Sequence, residues 1–256
     1  MCNKINYSDY NYTIFKIKKE CGLSSINEVD SHFDKLKSCA IDDKDSDSLI
    51  AYEDVQRTCA AEYDFLNHCP NYYFIESLEL LGFLQTVGLA EITTQELLQN
   101  LPYAYGVLCF PRNKIPAVFW SYNKEKNEYI CSSGGEDYRA SLTATKDANI
   151  MNICNDNTSF KVLLSFFVYC QYFTGVIKEG IPGNLKKQNH FKKFNNFKVT
   201  ENKEIFTKSE KKPHVRRYHF RYLKSDRYKN KKGCFVFVRE SFIKGKANTV
   251  INKGVG

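Results

Sequence analysis

One segment limits the possible folds of this chain more than any other. Ser159 to Thr174 is helix-length, and Phe160, Val162, Leu163, Leu164, Phe166, Phe167 and Val168 leave it apolar around most of its circumference. A surface helix shows one apolar stripe, whereas a helix apolar on most sides is buried. Its most apolar run, Val162 to Tyr172, is shorter than the roughly 18 apolar residues that cross a bilayer. The segment therefore predicts a core helix with other elements packed around it. The N-terminus, Met-Cys-Asn-Lys, stays polar and has no apolar stretch ahead of Lys16 to Glu20, so no signal peptide and no membrane partner are expected. The protein is expected to remain in the compartment where it is made.

The rest of the chain reads as helices first and strands second. Residues 1–48 form a poorly defined segment. Asp42 to Ser48 is an acidic loop, with Ser48 placed to cap a helix that starts at Leu49. Tyr52, Val55, Cys59, Tyr63 and Leu66 recur every three or four residues, one apolar stripe of a helix that Pro70 ends. A second helix is expected from Tyr72 to about Leu84, on Phe74, Leu78, Leu81 and Leu84. A short third one opens at Thr93-Thr94-Gln95-Glu96, close to a capping box. Tyr103 to Phe110 reads as an aromatic strand, and Ala117–Tyr122 with Glu128–Ser132 reads as a hairpin. The predicted class is α+β: a helical N-terminal half packed on a small antiparallel sheet, plus a basic C-terminal β-hairpin module.

Charge divides the chain. Residues 1–183 hold 16 Lys and Arg against 24 Asp and Glu, a net of −8, while residues 184–256 hold 21 against 5, a net of +16. A segment this basic repels itself unless something negative neutralises it, a sign of a nucleic-acid or acidic partner. The expected organisation is an acidic α+β body at 49–183, a basic linker at 184–213 and the hairpin module at 214–256. Its strands would be His214–Leu223 and Cys234–Phe242, turning at Tyr228–Gly233. In the linker, Phe191, Phe194 and Phe197 stand three apart among lysines. They suit either a stacking platform for bases or an amphipathic turn docked on the body.

The ten cysteines form no C-x-x-C and no zinc-like cluster. Several lie in apolar runs, such as Cys109 and Cys170, and are expected to be reduced and structural. Asp42 to Asp47 lacks the Gly and distal Glu of a calcium loop, and Gly134-Gly135 reads as a turn. No metal site and no cofactor are expected.

The densest chemistry is Lys211-Lys212-Pro213-His214-Val215-Arg216-Arg217-Tyr218-His219-Phe220-Arg221-Tyr222. On a strand, His214, Arg216, Tyr218, Phe220 and Tyr222 share one face, and Arg217, His219 and Arg221 share the other. Arginine forks bind phosphate in two-point geometry, and aromatics stack on exposed bases. Lys211, Lys212, Arg216, Arg217, His219, Arg221 and Arg239 are thus the candidate nucleic-acid or ribosome contacts. A solvated edge strand is the plain alternative. A second functional alternative is an RNA-binding ribonuclease with His214 and His219 as general base and acid. Five residues apart on one strand, however, the two histidines point to opposite faces.

Lys212-Pro213-His214-Val215-Arg216-Arg217-Tyr218-His219-Phe220-Arg221, a polar turn, then Phe235-Val236-Phe237-Val238-Arg239 and Phe242-Ile243, resembles the C-terminal pattern of a type V-A anti-CRISPR family of phages and other mobile elements. The order of the segments from about Leu49 to Leu84, Leu101-Pro102 and Val162 to Tyr172 is similar too, so the resemblance spans roughly residues 49 to 245. The family has Gly where this chain has Tyr218, and Trp where it has Phe220. The resemblance implies a non-catalytic adaptor in the cytoplasm of a bacterial host. Such a protein recognises the N-terminal segment of a nascent CRISPR nuclease, or of another host protein, and causes loss of its messenger RNA. It would contact mRNA or the ribosome through the basic block. A peptide groove is expected along Tyr103 to Phe110 and near Trp120, with Tyr103, Tyr105 and Trp120 as contacts, by strand addition at an exposed sheet edge.

Overall fold

A computed structural model of the chain describes residues 7, 10–68, 70–90, 92–99, 104–111, 115–123, 125, 128–133, 139–143, 158–183, 185, 191–203 and 218–239. In chain order the elements are α1 (Thr13–Cys21), α2 (Ile26–Asp42), α3 (Ser46–Asn67), β1 (Asn71–Ile75), α4 (Leu78–Thr86), β2 (Gly88–Ala90) and α5 (Thr94–Gln99). Then follow β3 (Tyr105–Cys109), β4 (Val118–Asn123), β5 (Glu128–Ser133), β6 (Arg139–Thr143), α6 (Thr158–Tyr172), β7 (Ile177–Glu179), β8 (Asn195–Val199), β9 (His219–Tyr222) and β10 (Phe235–Val238). Short 3-10 turns stand at Phe191–Lys193 and Asp226–Lys231. The fold is α+β.

The main sheet has seven strands in the order β6-β5-β4-β3-β1-β8-β7. It is mixed, not the small antiparallel sheet that the pattern predicts, because β1 runs parallel to both β3 and β8. The remaining pairs, β3 with β4, β4 with β5, β5 with β6 and β7 with β8, are antiparallel. Covered on both faces, β1 buries Tyr72, Tyr73, Phe74 and Ile75. Such a strand loses the in-out alternation and reads as a continuous apolar run. This is why Tyr72 to Leu84 looks like one helix in sequence. The helix proper starts after Ser77, whose hydroxyl accepts from the Leu80 N–H at 3.0 Å.

Successive residues of β1 sort the two cores. Tyr72 and Phe74 face the side packed by α1, α2 and α3, while Tyr73 and Ile75 face the side packed by α4 and α6. Helix α6 touches β4 and β5 on one flank and β10 on another. Phe166 and Phe167 meet Trp120 at ring distances of 6.0 and 5.2 Å, and Phe173, just past its end, meets Phe237 at 5.7 Å. A helix held between two sheets has no wet side, which accounts for its apolar circumference.

Residues 10–48, poorly defined in sequence, contain α1 and α2. Ser25 caps α2 by accepting from the Glu28 N–H, and Glu28 accepts in turn from the Ser24 N–H and hydroxyl. Asp45, rather than Ser48, caps α3, accepting from the Ser48 N–H at 3.1 Å. The capping box at α5 forms as expected: Thr93 Oγ1 accepts from the Glu96 N–H and Glu96 Oε2 from the Thr93 N–H.

The described part of 184–213 does not run as a linker. Strand β8 completes the main sheet, and the three phenylalanines dock on the body. Phe191 is buried, Phe194 stacks on Tyr72 at 4.7 Å and Phe197 stacks on Tyr73 at 5.1 Å. Their rings are occupied by the protein's own aromatics, so they form no platform for bases. The seven described cysteines are free, with Cys59, Cys109 and Cys131 buried. Among the described residues no helix is long and apolar enough to cross a membrane.

Candidate nucleic-acid interface

The basic C-terminal strands form a second sheet in the order β10-β9-β2. β9 and β10 pair antiparallel, with Phe220 opposite Phe237 and His219 opposite Val238. β2 lies parallel on the other flank of β9, with Gly88 opposite His219. A Cβ on Gly88 would stand 3.0 Å from His219 Cβ, so glycine lets the two strands approach here.

Alternation then separates the side chains of the basic block by face. Phe220 is fully buried, and Tyr218, Tyr222 and Phe237 pack against the same core as α4 and α6. Tyr218 stacks on Phe237 at 5.5 Å with the rings 9° apart, and Phe220 meets Phe237 at 5.1 Å and Phe173 at 6.2 Å. The aromatics of the block are therefore an anchor and are not offered to bases. The hairpin is not a separate module either, since its inner face belongs to the core of the body.

His219 and Arg221 point to the opposite face and are half-buried, and Arg239 at the end of β10 is exposed. Lys211, Lys212, His214, Arg216 and Arg217 lie outside the described residues. Of the expected contacts, the described structure places His219 and Arg221 on one face of this sheet and Arg239 just past the end of β10. Beside them, Lys224 pairs with Glu96 at 2.9 Å, tying the end of β9 to α5.

The expected peptide groove is overturned. Trp120 is fully buried, packed on Tyr73, Phe166 and Phe167. A Cβ on Gly106, its partner on β3, would come within 2.5 Å of the indole, so only glycine fits there. Tyr105 lies half-buried with its ring edge-on to Phe65 at 5.8 Å. Neither β3 nor β4 is an edge, because β3 is paired to β1 and β4, and β4 to β3 and β5. Strand addition needs unpaired backbone groups, and both flanks of these strands are used. Tyr103 lies outside the described residues.

Among the described residues no group of three or more His, Cys, Asp or Glu side chains is placed to hold a metal ion. Comparison of the chain with known protein families, with curated proteins and with solved structures finds no match.

Proposed function

We propose that this chain is an anti-CRISPR-like adaptor that recognises a nascent polypeptide during translation and lowers the level of its messenger RNA. In that role it suppresses production of a host defence nuclease in the cytoplasm of a bacterial host. The observation that carries the reading is the division of labour within the basic block. Tyr218, Phe220 and Phe237 seat the strands on the body, while His219 and Arg221 alternate with them onto the half-buried opposite face. The same block carries the resemblance to the anti-CRISPR family, and the net charge of +16 on residues 184–256 suits a phosphate-rich partner.

The test is immunoprecipitation of the tagged protein from translating cells, with sequencing of the co-purifying RNA, with and without puromycin. One enriched messenger that puromycin abolishes is the expected result, and it identifies the target. Enrichment that survives puromycin means that the protein binds the RNA itself and reads no nascent chain. Replacing Arg216, Arg217 and Arg221 together by Ala is expected to weaken RNA association and flatten its salt dependence. Unchanged binding at low salt removes the phosphate-contact role of these arginines. A ribonuclease acting through His214 and His219 would instead cleave purified RNA without ribosomes and lose that activity on His219→Ala.

A further inference from the structure

The turn between β9 and β10 concentrates charge beyond what the strands carry. Residues 224–233, Lys-Ser-Asp-Arg-Tyr-Lys-Asn-Lys-Lys-Gly, hold five cations and one carboxylate. The segment is an ordered element. Ser225 caps the 3-10 turn by accepting from the Arg227 N–H, and backbone bonds run from Tyr228 N–H to Ser225 C=O and from Gly233 N–H to Leu223 C=O. Two of the five cations are neutralised: Lys224 by Glu96 at 2.9 Å and Lys232 by Asp226 at 2.5 Å. Arg227, Lys229 and Lys231 are exposed, and no carboxylate among the described residues pairs with them.

Two further details mark the turn. The guanidinium of Arg227 lies over the ring of Tyr228, 4.7 Å from its centre, and donates to the Tyr228 hydroxyl. That contact keeps the guanidinium beside an aromatic ring. Lys229 has φ 37° and ψ −102°, a left-handed backbone that favours glycine and that any side chain occupies under strain. Stability alone selects glycine at 229, yet the chain keeps a cation there.

We infer that this turn contacts single-stranded RNA, with Arg227, Lys229 and Lys231 on the phosphodiester backbone and the Arg227–Tyr228 plate beside an unpaired base. The inference rests on the adaptor reading above, and extends the RNA contact from the strand face to the turn. An acidic peptide would neutralise the cations but leave the guanidinium–aromatic plate unused. A duplex presents its phosphates but keeps its bases stacked inside, whereas an unpaired strand offers both. In the adaptor, that strand is the messenger under translation.

The experiment titrates the purified full-length protein with a fluorescent single-stranded RNA oligonucleotide at several salt concentrations. The comparison is the triple variant Arg227→Gln, Lys229→Gly, Lys231→Ala. The variant is expected to bind on the order of tenfold more weakly, with a slope of log K against log salt shallower by about 2, the change that three lost phosphate contacts produce. Lys229→Gly alone is expected to weaken binding while raising the thermal midpoint, because glycine relaxes the backbone. That combination separates a lost contact from a lost fold. Equal affinity and slope for wild type and triple variant overturn the assignment of the turn, while puromycin-sensitive messenger enrichment tests the adaptor reading separately. Wild-type protein that binds purified ribosomes but not the free oligonucleotide overturns the single-strand assignment in favour of a ribosomal surface. Turn-dependent binding of the oligonucleotide without puromycin-sensitive enrichment supports the RNA contact and removes the adaptor reading.

Discussion

The two sides of the main sheet are held together by different forces. On the side of α4 and α6, aliphatic and aromatic side chains dominate, from Leu80, Leu81 and Leu84 to Phe166, Phe167 and Phe220. On the side of α1, α2 and α3 the apolar core contains directed polar contacts. Glu62 of α3 is fully buried and accepts from the Tyr10 hydroxyl at 2.5 Å and from the Ile14 N–H at 2.9 Å. Tyr12 and Tyr72 join hydroxyls at 2.7 Å. Ile14 is in the first turn of α1, and Tyr12, its N-cap residue, makes no side-chain cap bond. A carboxylate from another helix thus satisfies one of the N–H groups that every helix start leaves over. The apolar side merges the basic strands into the body. The polar side works in one geometry and holds the N-terminal segment in a single place.

This contrast can be broken from either side. The largest effect is expected for Phe220→Ala, which empties a buried ring site shared by β9, α6 and α4 and costs about 3–5 kcal/mol. Denaturant unfolding followed by far-UV circular dichroism should lower the midpoint of a single transition for the whole molecule. A separate early transition that leaves the body's midpoint unchanged would mean that the C-terminal strands fold as an independent unit.

Glu62→Ala follows. It leaves the Tyr10 hydroxyl and the Ile14 N–H buried without their acceptor, a cost of about 3 kcal/mol. Its selective signature is faster amide exchange in α1 than in α6, measured by hydrogen exchange. Gly106→Ala comes next, on the apolar side. The new methyl meets Trp120 at 2.5 Å and Tyr73 at 2.8 Å, and overpacking of this kind costs about 2 kcal/mol. An unchanged midpoint would show that the indole has room to move.

The smallest effect is a pH dependence. Burial pushes the Glu62 carboxyl above its ordinary value, although the bonds from Tyr10 and Ile14 pull the other way. The folded state therefore binds this proton more tightly than the unfolded chain does. Stability from this group is greatest below the ordinary glutamate pKa and falls as pH rises towards the raised folded value. Glu62→Gln keeps the shape, with its carbonyl free to accept from Ile14 and its amide to donate to the Tyr10 oxygen. The difference in stability between wild type and Glu62→Gln should therefore move in the variant's favour with rising pH across that window. A constant difference would show that Glu62 ionises as easily in the fold as outside it.

Local periodicity carried much of the fold. The all-round apolar pattern of α6, the helical spacing of α3, the β4–β5 hairpin and the Thr93–Glu96 capping box are legible because neighbours three, four or two residues apart share a face. Tyr63 of the stripe read on α3 is nevertheless exposed, and Phe65 and Glu62 are buried in its place. β1 was not legible, because burial on both faces erased its alternation. β8 was not either: its lysine- and asparagine-rich surroundings resemble a linker, and its place in the sheet depends on pairing with a strand 124 residues earlier. The candidate site divides in the same way. Strand alternation at Tyr218, Phe220 and Tyr222 was readable, but not which face would meet the core. Trp120 carried the signature of a recognition residue, and its burial depends on Tyr73, Phe166 and Phe167, which come from distant segments.

By itself the sequence determined the α+β class, a central helix with no wet face, and the charge division between residues 1–183 and 184–256. These follow from composition and short-range spacing, which no packing arrangement alters. Only the tertiary structure decided that the basic strands share the body's core, that their aromatics face inward, and that Glu62 caps a helix 48 residues away. Those outcomes depend on which surfaces meet, and contacts between residues far apart in the chain leave no local pattern to read.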